Sequence, residues 1–135
     1  MKIFQIFKID YMKIILASTA GISFLCSYFL QLTMENIEQY LAVAAVLLLD
    51  GFFGMIAGIK REGFKTYKSL RVLKSIATWE IILTAILMIE KGFIGTGWLS
   101  ETIIAPFIIF QLISALKNAS MAGFIKNELL NIILD

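Results

Sequence analysis

Apolar runs long enough to cross a bilayer are the feature that most constrains what this chain can fold into. A membrane-spanning helix needs about 20 predominantly apolar residues. Four runs approach that length, at residues 14–32, 41–59, 72–89 and 102–116. Hydrophobic residues make up 59% of the 135 residues, more than a soluble domain of this size could bury. The sequence therefore predicts an all-α integral membrane protein with four transmembrane helices in one domain over residues 1–135.

The basic residues predict how these spans are oriented, because cytoplasmic loops of membrane proteins collect Lys and Arg. Of the twelve, three precede the first span, six lie between the second and third, two follow the fourth, and only Lys91 lies on the other side. The loops expected outside carry acids instead: Glu35, Glu38, Glu90 and Glu101. We expect both termini in the cytoplasm. The alternative is three spans and a fourth segment that only dips into the membrane.

Residues 60–74 read KREGFKTYKSLRVLK and predict a basic cytoplasmic loop, as a short helix or turn. Its six basic residues are Lys60, Arg61, Lys65, Lys68, Arg71 and Lys74. A basic side chain near an anionic membrane surface contributes about 1 kcal/mol, so membrane lipids are the expected partner. A nucleic-acid patch would have a similar composition, but a juxtamembrane loop this short argues against it.

The two ends of the chain predict further helix. Residues 1–12 are expected to extend the first helix or to lie along the inner membrane surface, because the apolar run continues past its small residues as a cleaved signal peptide would not. Residues 119–134 place apolar side chains at helical spacing between polar ones. This pattern predicts an amphipathic C-terminal helix that lies in the membrane plane or packs on a neighbouring subunit.

Catalytic chemistry has little basis in the residues. The chain has no histidine, which removes the commonest metal ligand and the commonest base at neutral pH. Its one cysteine, Cys26, lies among apolar residues and is expected to be a buried structural thiol. No nucleophile-elbow, zinc-binding or nucleotide-binding motif is present. We expect no enzymatic activity, no metal and no cofactor.

Three polar side chains interrupt the predicted spans, namely Asp50, Glu80 and Gln111. Ionisable residues inside a membrane are rare and usually face a bundle interior or a water-filled cavity. No Lys or Arg is expected at the depth of Asp50, so the sequence predicts no ion pair there. The acids are then either neutral and hydrogen-bonded between helices, or in contact with water in a pore or polar assembly seam. A role in proton-coupled transport is a third possibility.

Three glycines follow Asp50 on one stripe of the same helix: Gly51, Gly54 and Gly58. The GxxxG spacing from Gly54 to Gly58 allows another helix to approach closely, since packing drives association between helices in lipid. We expect this face to mediate self-association into a homo-oligomer.

Two segments resemble a known family. The first, DGFFGMIAGIK at residues 50–60, has Asp50, Gly54, Gly58 and Lys60 and is followed by the basic stretch. The second, FQLISALKNASMAG at 110–123, has Ser114, Asn118 and Gly123. In this order they resemble the phage holin family that includes the clostridial toxin-release holins. The chain departs from that family at Gln111, where an acidic residue is usual, and in its almost uncharged C-terminal tail.

The resemblance implies a protein that accumulates in the cytoplasmic (inner) membrane of a bacterium, associates laterally and permeabilises it. Such lesions release an endolysin or a secreted protein and lead to host lysis, without stable binding of that cargo. Two other functions remain open. Small multidrug exporters are proton-coupled transporters of this size, but they carry a glutamate in the first span, which has none here. A structural or effector membrane subunit, for example of a defence system, could share the fold.

Overall fold

The computed structural model of the chain describes residues 2–63 and 65–134, with the backbone alone at 127, 129, 130 and 134. This part of the chain is helical and contains no strand. Its helices are α1 (Lys2–Glu35), α2 (Ile37–Glu62), α3 (Thr66–Gly92), α4 (Leu99–Met121) and α5 (Asn127–Leu134). The first four are long and apolar enough to cross a membrane. The predicted all-α class and the four candidate spans are confirmed.

The chain divides into two compact units, residues 1–36 and 37–135. The first unit is essentially α1, a single helix of 34 residues, about 50 Å long at 1.5 Å per residue. It begins at Lys2, so the residues before the predicted span extend the helix, as expected. Cys26 is exposed on it, and the expectation of a buried thiol is wrong. Lipid would cover such a side chain where the protein itself does not.

In the second unit, α2 and α3 are antiparallel and α4 runs parallel to α2. The hydroxyls of Tyr40 and Thr84 lie 2.7 Å apart, and the Ser69 hydroxyl donates to the Met55 sulfur at 3.2 Å. Residues that come later in α2 thus contact residues that come earlier in α3. The ends of α2 and α4 and the start of α3 consequently lie together, and we call this the basic end of the unit.

The buried side chains of the second unit are large at one end and small at the other. Away from the basic end the buried residues are large: Val43, Val46, Leu47, Leu83, Ile86, Leu87, Ile104 and Phe107. Toward the basic end they are small: Ala57, Gly58, Ala115, Ala119 and Ala122. Small residues let helix backbones approach closely. A close approach of the helices is therefore favoured toward the basic end.

Three sequence expectations differ from the structure in extent. The stretch 60–74 is not a loop, because its ends belong to α2 and α3 and only residues 63–65 connect them. The C-terminal helix begins at 127 rather than 119, after a turn over residues 122–126. The fourth candidate span lies in a continuous helix that is longer than the predicted 102–116 and contains Pro106. Polar residues at span ends evidently continue the helix beyond the apolar run.

Candidate functional site

Asp50 joins α2 to α4 through two hydrogen bonds. The Ser114 hydroxyl and the Asn118 side-chain amide both donate to its Oδ1 atom, each at 2.8 Å. Ser114 and Asn118 lie four residues apart and so occupy the same face of α4. All three side chains are half-buried. These two bonds to one carboxylate oxygen fix the register of α4 against α2. Ser114 and Asn118 are 64 and 68 positions from Asp50 in the sequence.

The three glycines of α2 pack inside this unit. A Cβ atom at Gly51 would lie 2.6 Å from a methyl of Val72 on α3. At Gly54 it would lie 3.3 Å from the Asn118 amide nitrogen, and at Gly58 3.0 Å from the Lys68 ammonium. The close approach predicted from the glycine spacing is present. In the described structure the groups nearest these glycines belong to α3 and α4 of the same chain. Self-association through this face stays a prediction.

A second contact between α2 and α4 lies at the basic end. The Lys60 ammonium donates to the carbonyl oxygen of Ala122, the residue that caps α4. A cation at that position complements the partial negative charge of a helix C-terminus. Gly123 follows with φ +92°, and its α-carbon leaves room for the lysine, since a Cβ there would lie 3.1 Å from Nζ.

The turn after α4 is held by its own backbone and by one aromatic contact. The Gly123 N–H donates to the Ser120 carbonyl at 3.1 Å, and the Phe124 N–H to the Ala119 carbonyl at 2.9 Å. This pair of bonds around a glycine of positive φ is a Schellman motif. The Phe124 ring lies 5.4 Å from the Phe53 ring on α2. We call Lys60, Phe53 and the turn 122–126 the latch.

Two adjoining hollows, of about 210 and 310 Å³, open beside Asp50 between the three helices. Both are lined by Asp50, Gly51, Arg71 and Val72. The smaller adds Leu47, Ser75, Trp79 and Gln111, and the larger adds Gly54, Met55, Lys68 and Asn118. The expectation that no basic residue reaches the depth of Asp50 is therefore wrong. It placed Arg71 in a loop, whereas α3 begins five residues earlier and carries it alongside α2.

Glu80, the other acid within a candidate span, lines neither hollow. Its backbone carbonyl accepts a hydrogen bond from the Thr84 hydroxyl at 2.8 Å, and its Oε2 atom is buried without a hydrogen-bond partner in the described structure. Of the three polar residues that interrupt the predicted spans, Asp50 and Gln111 line the smaller hollow and Glu80 does not.

The remaining basic residues have separate environments. Lys65 and Lys68 pair with Glu62 at 3.5 and 3.3 Å, whereas Arg61 and Lys74 are exposed. Sequence reasoning did not identify Val72 against Gly51, or the stacking of Trp79 on Phe107 with ring centroids 3.6 Å apart. Over residues 2–63 and 65–134, no group of His, Cys, Asp or Glu side chains could hold a metal ion.

Comparison with known proteins identifies no relative of this chain. No protein-family model matches the chain, and no curated protein or solved structure is significantly similar to it. Function must therefore be inferred from the residues and from the geometry described above.

Proposed function

We propose that this chain is a holin-like protein of the bacterial cytoplasmic membrane, which self-associates and permeabilises that membrane. Four helices of sufficient length and apolarity support a multi-pass protein. The excess of Lys and Arg at the basic end of the second unit favours placing that end in the cytoplasm. The activity would be the opening of lesions through which an endolysin or other protein leaves the cell.

The observation that carries this proposal is the meeting of the two family-like segments. Asp50 from the first segment contacts Ser114 and Asn118 from the second, and Gly54 packs on Asn118. Lys60 of the first contacts the backbone beside Gly123 of the second. The positions that resemble holins thus lie in two separate stretches of the sequence and contact each other in the structure.

The geometry suggests how such a protein would be held closed. Two polar contacts, at Asp50 and at Lys60, join α2 to α4 over a seam of small residues. Polar side chains that bind each other inside one subunit can instead face water or another subunit when the helices separate. Breaking these contacts would expose a polar strip, which is what a wet lesion needs for its wall.

The test is controlled expression in a bacterium with a dye that reports membrane potential. We expect abrupt depolarisation and growth arrest once the protein has accumulated. Asn118→Ala removes one donor to Asp50 and should depolarise cells at a lower protein level, because less holds the closed form together. Asn131→Ala, an exposed asparagine of α5, is the matched control and should behave as the unchanged protein.

Cells that keep their potential and continue to divide at high levels of membrane-inserted protein would contradict the proposal. Growth without lysis, but with altered tolerance to cationic drugs, would instead identify a proton-coupled transporter. Neither result is expected of a holin.

A further inference from the structure

The hollows beside Asp50 are lined by an exposed arginine, Arg71. Arg71 lines both of them, and among the described residues it forms no ion pair. Lys68 also lines the larger hollow but is already paired with Glu62 at 3.3 Å. The Arg71 guanidinium is therefore the free positive group of this space. Its planar fork of donors suits bidentate binding of a phosphate.

Asp50 supplies an anionic group to the same two hollows. Ser114 and Asn118 both donate to Oδ1 of Asp50, which leaves Oδ2 for other partners. A carboxylate oxygen accepts hydrogen bonds strongly from an ammonium that has N–H groups to give.

From this pairing we propose that the hollows bind a phosphoethanolamine group, the headgroup of a phospholipid with a phosphate and a primary ammonium. The phosphate would bind Arg71 and the ammonium would bind Asp50. A purely anionic ligand would leave Asp50 facing a like charge, and a purely cationic one would leave Arg71 unpaired. Only a ligand with both charges satisfies both residues.

The position of the hollows favours a lipid as the source of this group. On α3 and α4 the larger hollow is lined by Lys68, Arg71 and Asn118, within about two turns of the basic end. Asp50 lies midway along α2, so a headgroup would enter from the basic end and reach inward to it. Val72, Met55 and Leu47 give the remaining wall an apolar surface. The inference depends on the membrane location of the chain and is independent of lesion formation.

Native mass spectrometry of the full-length protein in detergent tests the proposal by counting bound lipids. The probes are phosphatidylethanolamine, phosphatidylcholine, whose methylated nitrogen has no N–H, and phosphatidylglycerol, which has no nitrogen. We expect one saturable phosphatidylethanolamine, bound roughly tenfold more tightly than either other lipid, as loss of one charge-assisted hydrogen bond implies. This comparison needs no variant, so it stands even if a substitution disturbs folding.

Variants identify the two contacts. Arg71→Gln should weaken phosphatidylethanolamine binding roughly tenfold, and Asp50→Asn should do the same for that lipid while leaving phosphatidylglycerol unaffected. Glu101→Gln, which alters an exposed charge outside the hollows, is the control and should bind normally. Circular dichroism verifies that each variant keeps its helical content.

Three results would overturn the proposal. Equal binding of all three lipids would remove headgroup recognition. Equal binding of phosphatidylethanolamine and phosphatidylglycerol, unaffected by Asp50→Asn, would reduce the site to a phosphate site. Tighter binding of soluble glycerophosphoethanolamine than of the lipid would identify a free phosphate ester as the ligand.

Discussion

Gly51 illustrates how much of this fold depends on single side chains. Val72 of α3 occupies the space where a Cβ of residue 51 would lie. A Cβ there would be 2.6 Å from a Val72 methyl carbon, closer than real Cβ atoms approach. Arg71 precedes Val72 on α3, and Asp50 precedes Gly51 on α2. The same close approach therefore brings Arg71 and Asp50 to one hollow. The contact between a glycine and a valine therefore places two opposite charges in one hollow.

Gly51→Ala should separate α2 from α3 and destabilise the second unit by about 1–3 kcal/mol, the usual effect of overpacking. Thermal unfolding in detergent, followed by circular dichroism, measures the loss. Gly21→Ala in α1 is the matched control, because a Cβ there meets nothing within 4 Å. It should be neutral or stabilising by up to about 1 kcal/mol, through helix propensity.

Combining Gly51→Ala with Val72→Ala removes the two methyl groups that the new Cβ would strike. The double variant should recover stability relative to Gly51→Ala. If the two substitutions instead add, the α2–α3 approach described here is incorrect.

Among the elements, the latch connects the end of α4 to α2 by two different interactions, the Lys60 hydrogen bond to Ala122 and the contact between the Phe53 and Phe124 rings. Gly123, in the left-handed conformation, lies between Ala122 and Phe124. Because α5 begins four residues after Gly123, the latch also sets where the C-terminal helix leaves the bundle.

Gly123→Ala should loosen this turn, because an L-residue with φ near +92° is strained by about 1–2 kcal/mol. Hydrogen exchange at the Phe124 amide, which bonds to the Ala119 carbonyl, should accelerate roughly tenfold as a result. Gly97→Ala, at a glycine of ordinary φ with open space around it, should leave that amide unchanged. Unaltered exchange in Gly123→Ala would show that the turn does not need its glycine.

At the scale of the whole molecule, the second unit is electrically asymmetric along its length. Its basic end carries Lys60, Arg61, Lys65, Lys68, Arg71 and Lys117, and its other end carries Glu38, Glu90 and Glu101. A membrane protein with such asymmetry is expected to insert with the basic end inward.

Cysteine labelling tests this orientation in a Cys26→Ser background, at expression below the level that depolarises cells. Gly97→Cys, in the exposed turn between α3 and α4, should react with an impermeant maleimide in intact cells. Thr66→Cys, at the exposed start of α3, should react only after permeabilisation. The reverse pattern would invert the topology and place the hollows of Asp50 at the outer leaflet.

The sequence predicts the helices of this protein better than it predicts their contacts. Apolar runs locate four candidate spans, since hydropathy and length are local properties. The pairing of Asp50 with Asn118 is not local: a resemblance marks both residues, but nothing in the sequence indicates that they touch. Arg71 was misplaced for a related reason, because a helix can extend beyond its apolar run and carry a charge inward.

The stacking of Trp79 on Phe107 has one more consequence. Indole emission depends strongly on surrounding polarity, and this indole borders the smaller hollow while it rests on a ring of α4. The molecule has two tryptophans in all, so replacing Trp98 would leave a single native fluorophore between α3 and α4. A separation of α3 from α4 would then shift the emission wavelength of Trp79, without an added label.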